Sequence, residues 1–249
     1  MYMNRNVFFF DIDDTLYDLE YPFRLAFKKM YNYLPKNIHQ IFLDFRRYNN
    51  EIYDKALNGE ISMEYLCIYR TKNSFIDNGI SIDDKEAMQF HLVYLDQKKH
   101  IKLEDHVRMS LDYIISKSSE IGIISNGPHK EQYNKIKYLD MYKYVDKNNI
   151  FVSEDVGFHK PDSRIFCYAK KHIEDNLILN NKLQPYDIPN LKYYYIGDSF
   201  ENDVIGAKIS NFGSIWINHR GYDINCEKYK ADFEVKTFEE FYLLIKSII

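Results

Sequence analysis

Cysteine is scarce in this chain. Its three thiols, Cys67, Cys167 and Cys226, lie far apart. An odd count without CxxC spacing excludes a disulfide framework and a zinc site built on cysteine pairs, and it points to a reducing cytosol. No apolar run approaches the roughly 20 residues that span a bilayer, so no membrane-spanning helix is expected. The opening Met1-Tyr2-Met3-Asn4-Arg5-Asn6 runs straight into an expected strand, and no signal peptide is expected there. An excess of one charge is missing too. The net charge is −4, and Lys28-Lys29, Arg46-Arg47 and Lys98-Lys99 are isolated basic pairs on solvated faces. The chain therefore has no general attraction for nucleic acid or an anionic membrane surface. Repeats, low-complexity tracts and long linkers are also absent.

The 249 residues, 45% hydrophobic and 28% charged, have an ordinary globular balance, with room for one large domain or a core plus a smaller module. Tyrosine (23) and phenylalanine (17) are abundant beside heavy use of Lys, Asn and Ile. That pattern reads as compositional drift rather than as an aromatic binding device.

The chemistry begins at Phe8-Phe9-Phe10-Asp11-Ile12-Asp13-Asp14-Thr15-Leu16. The short apolar run before Asp11 reads as a strand buried on both faces. Carboxylates crowded at the end of such a strand repel one another and lose hydration, a cost a divalent cation among them would offset.

Two rhythms follow. Residues from about Tyr21 to Lys99 read as helical throughout. Phe23, Ala26, Phe27, Met30, Tyr31 and Leu34 fall at helical spacing. Further helices are expected over 37–57, ended by Asn58-Gly59, from Ser62 to near Asn78-Gly79, and over 83–97. After residue 100, strands and helices alternate. Strands are expected at 121–124, 150–152, 193–196 and 214–217, and helices at 104–118, from His129, from Asp162 as N-cap, at 201–210 and at 237–248. The segment 174–190, polar and carrying two prolines, leaves the length of its helix open. Alternation of this kind implies an α/β fold with a doubly wound, mostly parallel sheet. Residues 1–16 and 101–249 would form that core, with 17–100 a smaller all-helical module inserted after the first strand.

Polar residues cluster at three expected strand ends and one loop: Asp11 and Asp13; Ser125-Asn126-Gly127; Gly157-Phe158-His159-Lys160-Pro161; and Gly197-Asp198 through Asp203. A parallel sheet gathers them at one edge. They supply carboxylates for a cation, a hydroxyl and backbone N–H groups for an anion, and one lysine, a set suited to binding phosphate through magnesium. Taken singly, each has a bland reading. Ser125 is a turn residue, Lys160 a surface lysine, Asp203 a first-turn helix acid. Their convergence carries the functional reading.

These four segments resemble, in order, motifs one to four of the haloacid dehalogenase-like hydrolase superfamily. The likeness covers the whole core, and residues 17–100 resemble the cap inserted after the first motif. The layout is similar to the branch of nucleoside 5′-monophosphate and sugar-phosphate phosphatases. The resemblance implies Asp11 as nucleophile forming an aspartyl-phosphate, and Asp13 as proton donor and then base. It implies Mg²⁺ held by Asp11, the Asp13 carbonyl and Asp198. Ser125, the N–H of Asn126 and Thr15 would bind the phosphoryl group, Lys160 would neutralise charge, and Asp203 would support Lys160 or a metal-bound water. Asp14, where many members have glycine, reads as a turn residue. His129 and His159 flank the motifs without a clear role. His219 and Arg220 follow a strand and are placed either to line the site edge or, the favoured reading, in a surface loop. Tyr21 and Arg24 are positioned to touch a substrate or to lie on a helix surface.

The expected activity is hydrolysis of a small phosphorylated metabolite, a nucleoside monophosphate first, in the cytoplasm. Alternatives are a sugar-phosphate phosphatase or phosphomutase, and, outside enzymes, a phosphate-binding regulatory module. The family's dehalogenases lack the acid two residues past the nucleophile, so Asp13 argues against that activity.

Overall fold

The computed structural model describes residues 5–249. They divide into two compact units: the chain up to Asp18 together with Lys102–Ile249, and Leu19–Ile101.

The larger unit is built on six parallel strands, β1 (Asn6–Phe10), β2 (Glu120–Ser125), β3 (Ile150–Val152), β4 (Lys192–Gly197), β5 (Gly213–Ile217) and β6 (Phe233–Val235), in the order β3-β2-β1-β4-β5-β6. This is the doubly wound α/β fold. The chain builds outward from β1 on one side, then returns to its other side with β4. The reversal of strand order on passing from β2 to β4 opens a crevice at the carboxyl end of β1, where such sheets bind ligands.

Every residue of β1 is buried, because helices cover both faces. Successive side chains alternate. Phe9 meets the rings of Phe212 (5.6 Å) and Phe151 (6.4 Å) on the face covered by α8 (Ser163–Leu179). Phe10 meets Phe241 (6.1 Å) of α10 (Phe238–Ile248) on the other. Ile165, Phe166, Ala169, Ile173 and Leu177 form the buried stripe of α8 at helical spacing. Full burial of each of these large side chains stabilises by roughly 2–3 kcal/mol. Gly122, paired with Phe9 across β1–β2, has no alternative. A Cβ there would lie 2.6 Å from the Phe9 ring.

Asp162 caps α8 through its side chain, as its sequence context implies. The helix stops at Leu179, and the polar, proline-bearing stretch that follows forms a separate 3₁₀ turn, Pro185–Asn190. After β4 the chain does not enter a plain α-helix over 201–210. A π-helical turn, Phe200–Ile205, precedes a short α9 (Gly206–Ile209). β6, three residues long, has no signal in the sequence rhythm.

The smaller unit is four helices: α1 (Glu20–Tyr31), α2 (Ile38–Leu57), α3 (Met63–Asp77) and α4 (Asp84–Gln97). Its core is aromatic. Phe23 lies 5.1 Å from Phe45 and 5.2 Å from Phe90, and Phe75 lies 5.0 Å from Phe90. The high phenylalanine content is thus spent on packing. α1 ends earlier than its apolar spacing implies, because Asn32 adopts the left-handed conformation (φ 60°).

The three cysteines form no disulfide. Among the described residues no helix is long and apolar enough to cross a membrane.

Candidate active site

Strand register assembles the site. Asp11 N–H donates to the Ile196 carbonyl (2.9 Å), prolonging the β1–β4 ladder by one residue. Phe10 pairs with Ile123 and with Ile196. Continuing both ladders sets Ser125 and Asp198 one residue past Asp11 on its two flanks.

Lys160, from the loop before α8, reaches the same point. Its Nζ lies 2.6 Å from Asp11 Oδ1, 2.7 Å from Asp203 Oδ1 and 2.8 Å from Tyr195 Oη. An ammonium has three N–H donors, and these three acceptors use them all. Tyr195 can accept because its own proton goes to the Ile124 carbonyl (2.7 Å). Lys160, Asp203 and Tyr195 are all buried. Burial by itself would depress the lysine, but the carboxylates of Asp11 and Asp203 more than offset it and hold the ammonium well above the usual lysine range. Asp11 moves the other way. Burial raises its pKa to about 6 against the pull of Lys160, with Asp203 and Asp13 adding to the rise. Tyr195 is raised by burial and stays protonated.

Asp203 arrives on the π-helical turn. Its second oxygen accepts from the Ser199 N–H (2.9 Å), so both of its oxygens are committed. The turn packs on Gly197, where a Cβ would sit 2.1 Å from Asp203 Oδ2. The Asp198 carbonyl is pinned by the Trp216 indole N–H (2.8 Å). Carboxylate oxygens of Asp11, Asp198 and Asp203 all lie within 4.8 Å of one another. Three carboxylates face one lysine here, an excess of negative charge in poorly hydrated surroundings. The all-oxygen donor set and the charge imbalance both fit a hard divalent cation.

Asp13 points elsewhere. Its Oδ1 accepts from the Tyr17 hydroxyl (2.5 Å) and its Oδ2 from Lys135 Nζ (2.6 Å). Ser125 Oγ donates to Gln132 Oε1 (3.3 Å). The Asn126 side chain bridges to the Lys160 backbone in both directions (3.0 and 2.8 Å), tying the second strand end to the lysine loop.

The structure thus brings together Asp11, Asp13, Ser125, Asn126, Lys160, Asp198 and Asp203. Thr15 is different. It is fully buried, and its hydroxyl has no hydrogen-bond partner among the described residues. Arg220 takes the site-edge position rather than the favoured surface-loop one. Its side chain is 6% exposed and lies against the first turn, donating to Asp14 (2.7 Å) and to Asp18. Beside it His219 Nε2 lies 3.6 Å from Asp14 Oδ1. Asp14 is a turn residue in the left-handed region (φ 53°), and this arginine is why its charge tolerates burial. His129 pairs with Asp155 at the surface (2.8 Å), and His159 is exposed. Within the helical unit Arg24 turns back to Glu20 (3.3 Å), and Tyr21 is exposed.

Tyr195, Lys135 and Gln132 escaped the sequence reading, which favours a surface loop for Arg220. Tyr195 hides in a Tyr-Tyr-Tyr strand. Lys135 and Gln132 sit on a helix that reads as polar, and only their i, i+3 spacing hints at a shared inward face. Arg220 follows a strand but pairs with residues some 200 positions earlier.

A carboxylate-bearing strand end, a saturated lysine and an acidic cluster at a sheet's switch point describe an α/β enzyme. The chain belongs to the haloacid dehalogenase-like hydrolase family, whose family model matches residues 6–211. Among its relatives, a glyceraldehyde 3-phosphate phosphatase of Methanothermobacter thermautotrophicus is 26% identical over 215 residues, covering 84% of each chain. The pyrimidine 5′-nucleotidase YjjG of Escherichia coli is 22% identical over 210 residues, again 84% of each. The magnesium-bound crystal structure of YfnB from Bacillus subtilis shares the fold with a TM-score of 0.66 at 19% identity, covering 97% of this chain and 98% of that one. Haloacid dehalogenases are also among the solved chains of this fold.

Proposed function

We propose that the protein is a magnesium-dependent phosphomonoesterase acting on a small phosphorylated metabolite in the cytoplasm. One observation carries the reading. Two carboxylates two residues apart are held in opposite circumstances, Asp11 against the buried lysine and acidic cluster, Asp13 on Lys135 and Tyr17. That is a division between a nucleophile and a proton-transfer group. A dehalogenase has no use for the second, and the resemblance places that acid in the phosphatases of the family. The phosphatases among the relatives support the same choice.

In this mechanism Asp11 attacks phosphorus in line with the ester oxygen as the P–O bond breaks, and Asp13, protonated at this stage, gives its proton to the departing alkoxide oxygen. Water, deprotonated by Asp13, then cleaves the aspartyl-phosphate, releasing phosphate and restoring Asp11. Lys160 acts chiefly on Asp11, since Asp203 and Tyr195 take its other two protons. It aims one carboxylate oxygen and keeps it from drifting. Ser125 and the Asn126 N–H would hold phosphoryl oxygens. Asp11, Asp198 and the Asp13 carbonyl would hold Mg²⁺, which supplies charge neutralisation to the phosphoryl oxygens. Asp203 serves Lys160.

A nucleoside 5′-monophosphate is the first candidate substrate and a sugar or triose phosphate the second. The test is phosphate release across a metabolite panel with and without Mg²⁺. Release from at least one monoester, abolished by EDTA, is the expected result. No release from any monoester, with halide release from a 2-haloacid, would overturn the reading.

A further inference from the structure

We propose that Lys135 is a positioning residue for Asp13, setting the proton-transfer carboxylate where the departing alcohol needs it. The inference rests on the phosphatase reading above.

Three lysines lie on α6 (His129–Tyr138). Lys130 and Lys137 are exposed, whereas the Lys135 side chain is only 4% exposed. Taking an ammonium out of water is costly without a charged partner, and Asp13 is the nearer of two carboxylates that serve Lys135, ahead of Glu131. Lys135 Nζ holds Oδ2 from α6 at 2.6 Å, while Tyr17 holds Oδ1 from the chain just beyond β1 at 2.5 Å. A planar carboxylate gripped at both oxygens from two directions has little rotational freedom left. The lysine is itself steadied. Gln132 Oε1 accepts from it at 3.3 Å, and Glu131 Oε1 lies 3.4 Å away at the rim. Gln132 also accepts from Ser125 Oγ and donates to the Asn126 carbonyl (3.0 Å). One helix face therefore couples the carboxylate of the first strand end to the hydroxyl of the second. A pair that merely fastened α6 to the core would not need to engage the proton-transfer group and the residues flanking the phosphoryl site together.

Positioning matters in proportion to how much the leaving oxygen needs a proton. An alkyl alkoxide needs it greatly, and p-nitrophenolate hardly at all. The parameter kcat/KM covers steps up to departure of the alcohol, so the later hydrolysis of the aspartyl-phosphate does not enter it. We would compare kcat/KM for p-nitrophenyl phosphate with that for the alkyl monoester that the wild-type protein turns over fastest, in wild type, Lys135→Met and Lys135→Arg. Proton donation contributes on the order of 10²-fold or more. Lys135→Met should lower the alkyl value by about that factor and the aryl value by less than about tenfold. Lys135→Arg, which keeps charge and donors, should recover part of the alkyl-to-aryl ratio. The ratio does not depend on the fraction of protein that folds, so a destabilised variant still reports. An unchanged ratio in Lys135→Met, with both substrates falling together, would make the lysine a structural ion pair only and overturn the proposal while the phosphatase reading stands. Absence of turnover of either ester by wild type would overturn both.

Discussion

Replacing Asp11 by asparagine perturbs chemistry and electrostatics in one step, with opposite expected effects on activity and stability. The amide matches the carboxylate in size and its oxygen can still accept from Lys160, but it carries no charge and cannot act as the nucleophile. Lys160 keeps Asp203 and the Tyr195 hydroxyl, so no buried cation is orphaned. The wild-type carboxyl is raised from 3.8 to about 6, chiefly by burial and net of the attraction of Lys160. At about 1.4 kcal/mol for each tenfold change in proton affinity, its ionised form at pH 7.5 costs at most roughly 3 kcal/mol of folding stability when no cation is bound. The sign follows from the direction of the shift. A folded-state pKa above the unfolded one gives stability that is fully present below about pH 4 and is lost as pH rises through about 6. Asparagine does not titrate. In EDTA at pH 7.5, Asp11→Asn should therefore melt above wild type. Half of that ceiling, at about 2–4 °C per kcal/mol for a chain of this size, is roughly 3–6 °C. The difference should shrink toward pH 4.5. Magnesium should raise the Tm of wild type more than that of the variant, because one of its proposed ligands is gone. Phosphate release should fall by at least about 10³-fold. Differential scanning fluorimetry at pH 4.5, 6 and 7.5, with EDTA or Mg²⁺, beside a phosphate assay, reads all of this. A variant melting several degrees below wild type at pH 7.5 without metal would refute the electrostatic reasoning, and retained turnover would refute the nucleophile.

Lys160→Met strands the carboxylates of Asp11 and Asp203 without their cation, and should cost about 3–5 kcal/mol by denaturant unfolding in EDTA. Part of that loss should return on adding Mg²⁺, and an unchanged stability without metal would contradict the charge balance drawn for the site. Gly197→Ala forces a Cβ to within 2.1 Å of Asp203 Oδ2. The π-helical turn must shift and withdraw Asp203 from Lys160, with a loss of at least about tenfold in kcat and about 1–3 kcal/mol of stability. A wild-type kcat in that variant would show that Asp203 is not what steadies the lysine.

The parts of the site legible in the sequence are those written into strand ends. A contiguous apolar run such as Val7 to Phe10, short and set in a chain that alternates strands with helices, reads as a buried strand, which puts the first charged residue after it at the sheet's rim. That logic locates Asp11, Ser125 and Asp198, and a proline-adjacent cap at Asp162 locates the loop of Lys160. The illegible parts are those whose local pattern fits another environment equally well. Tyr195 looks like any strand aromatic until its hydroxyl is found between Lys160 and the Ile124 carbonyl. Arg220 looks like a loop cation until it meets Asp14. The turn at 200–205 has helical periodicity, yet its π geometry is what presents Asp203 to the lysine.

By itself the amino-acid sequence determined the alternation of strands and helices, the helical insertion and the order of the carboxylates along the chain. Hydrophobic period and strand length are local properties, and a single chain displays them directly. Which charges neutralise which was decided only by tertiary structure. Lys160 with Asp11 and Asp203, Lys135 with Asp13, and Arg220 with Asp14 join residues some 40 to 200 positions apart. Their pairing follows from parallel-strand register and from which helix face turns inward, and both are settled only when the whole core packs.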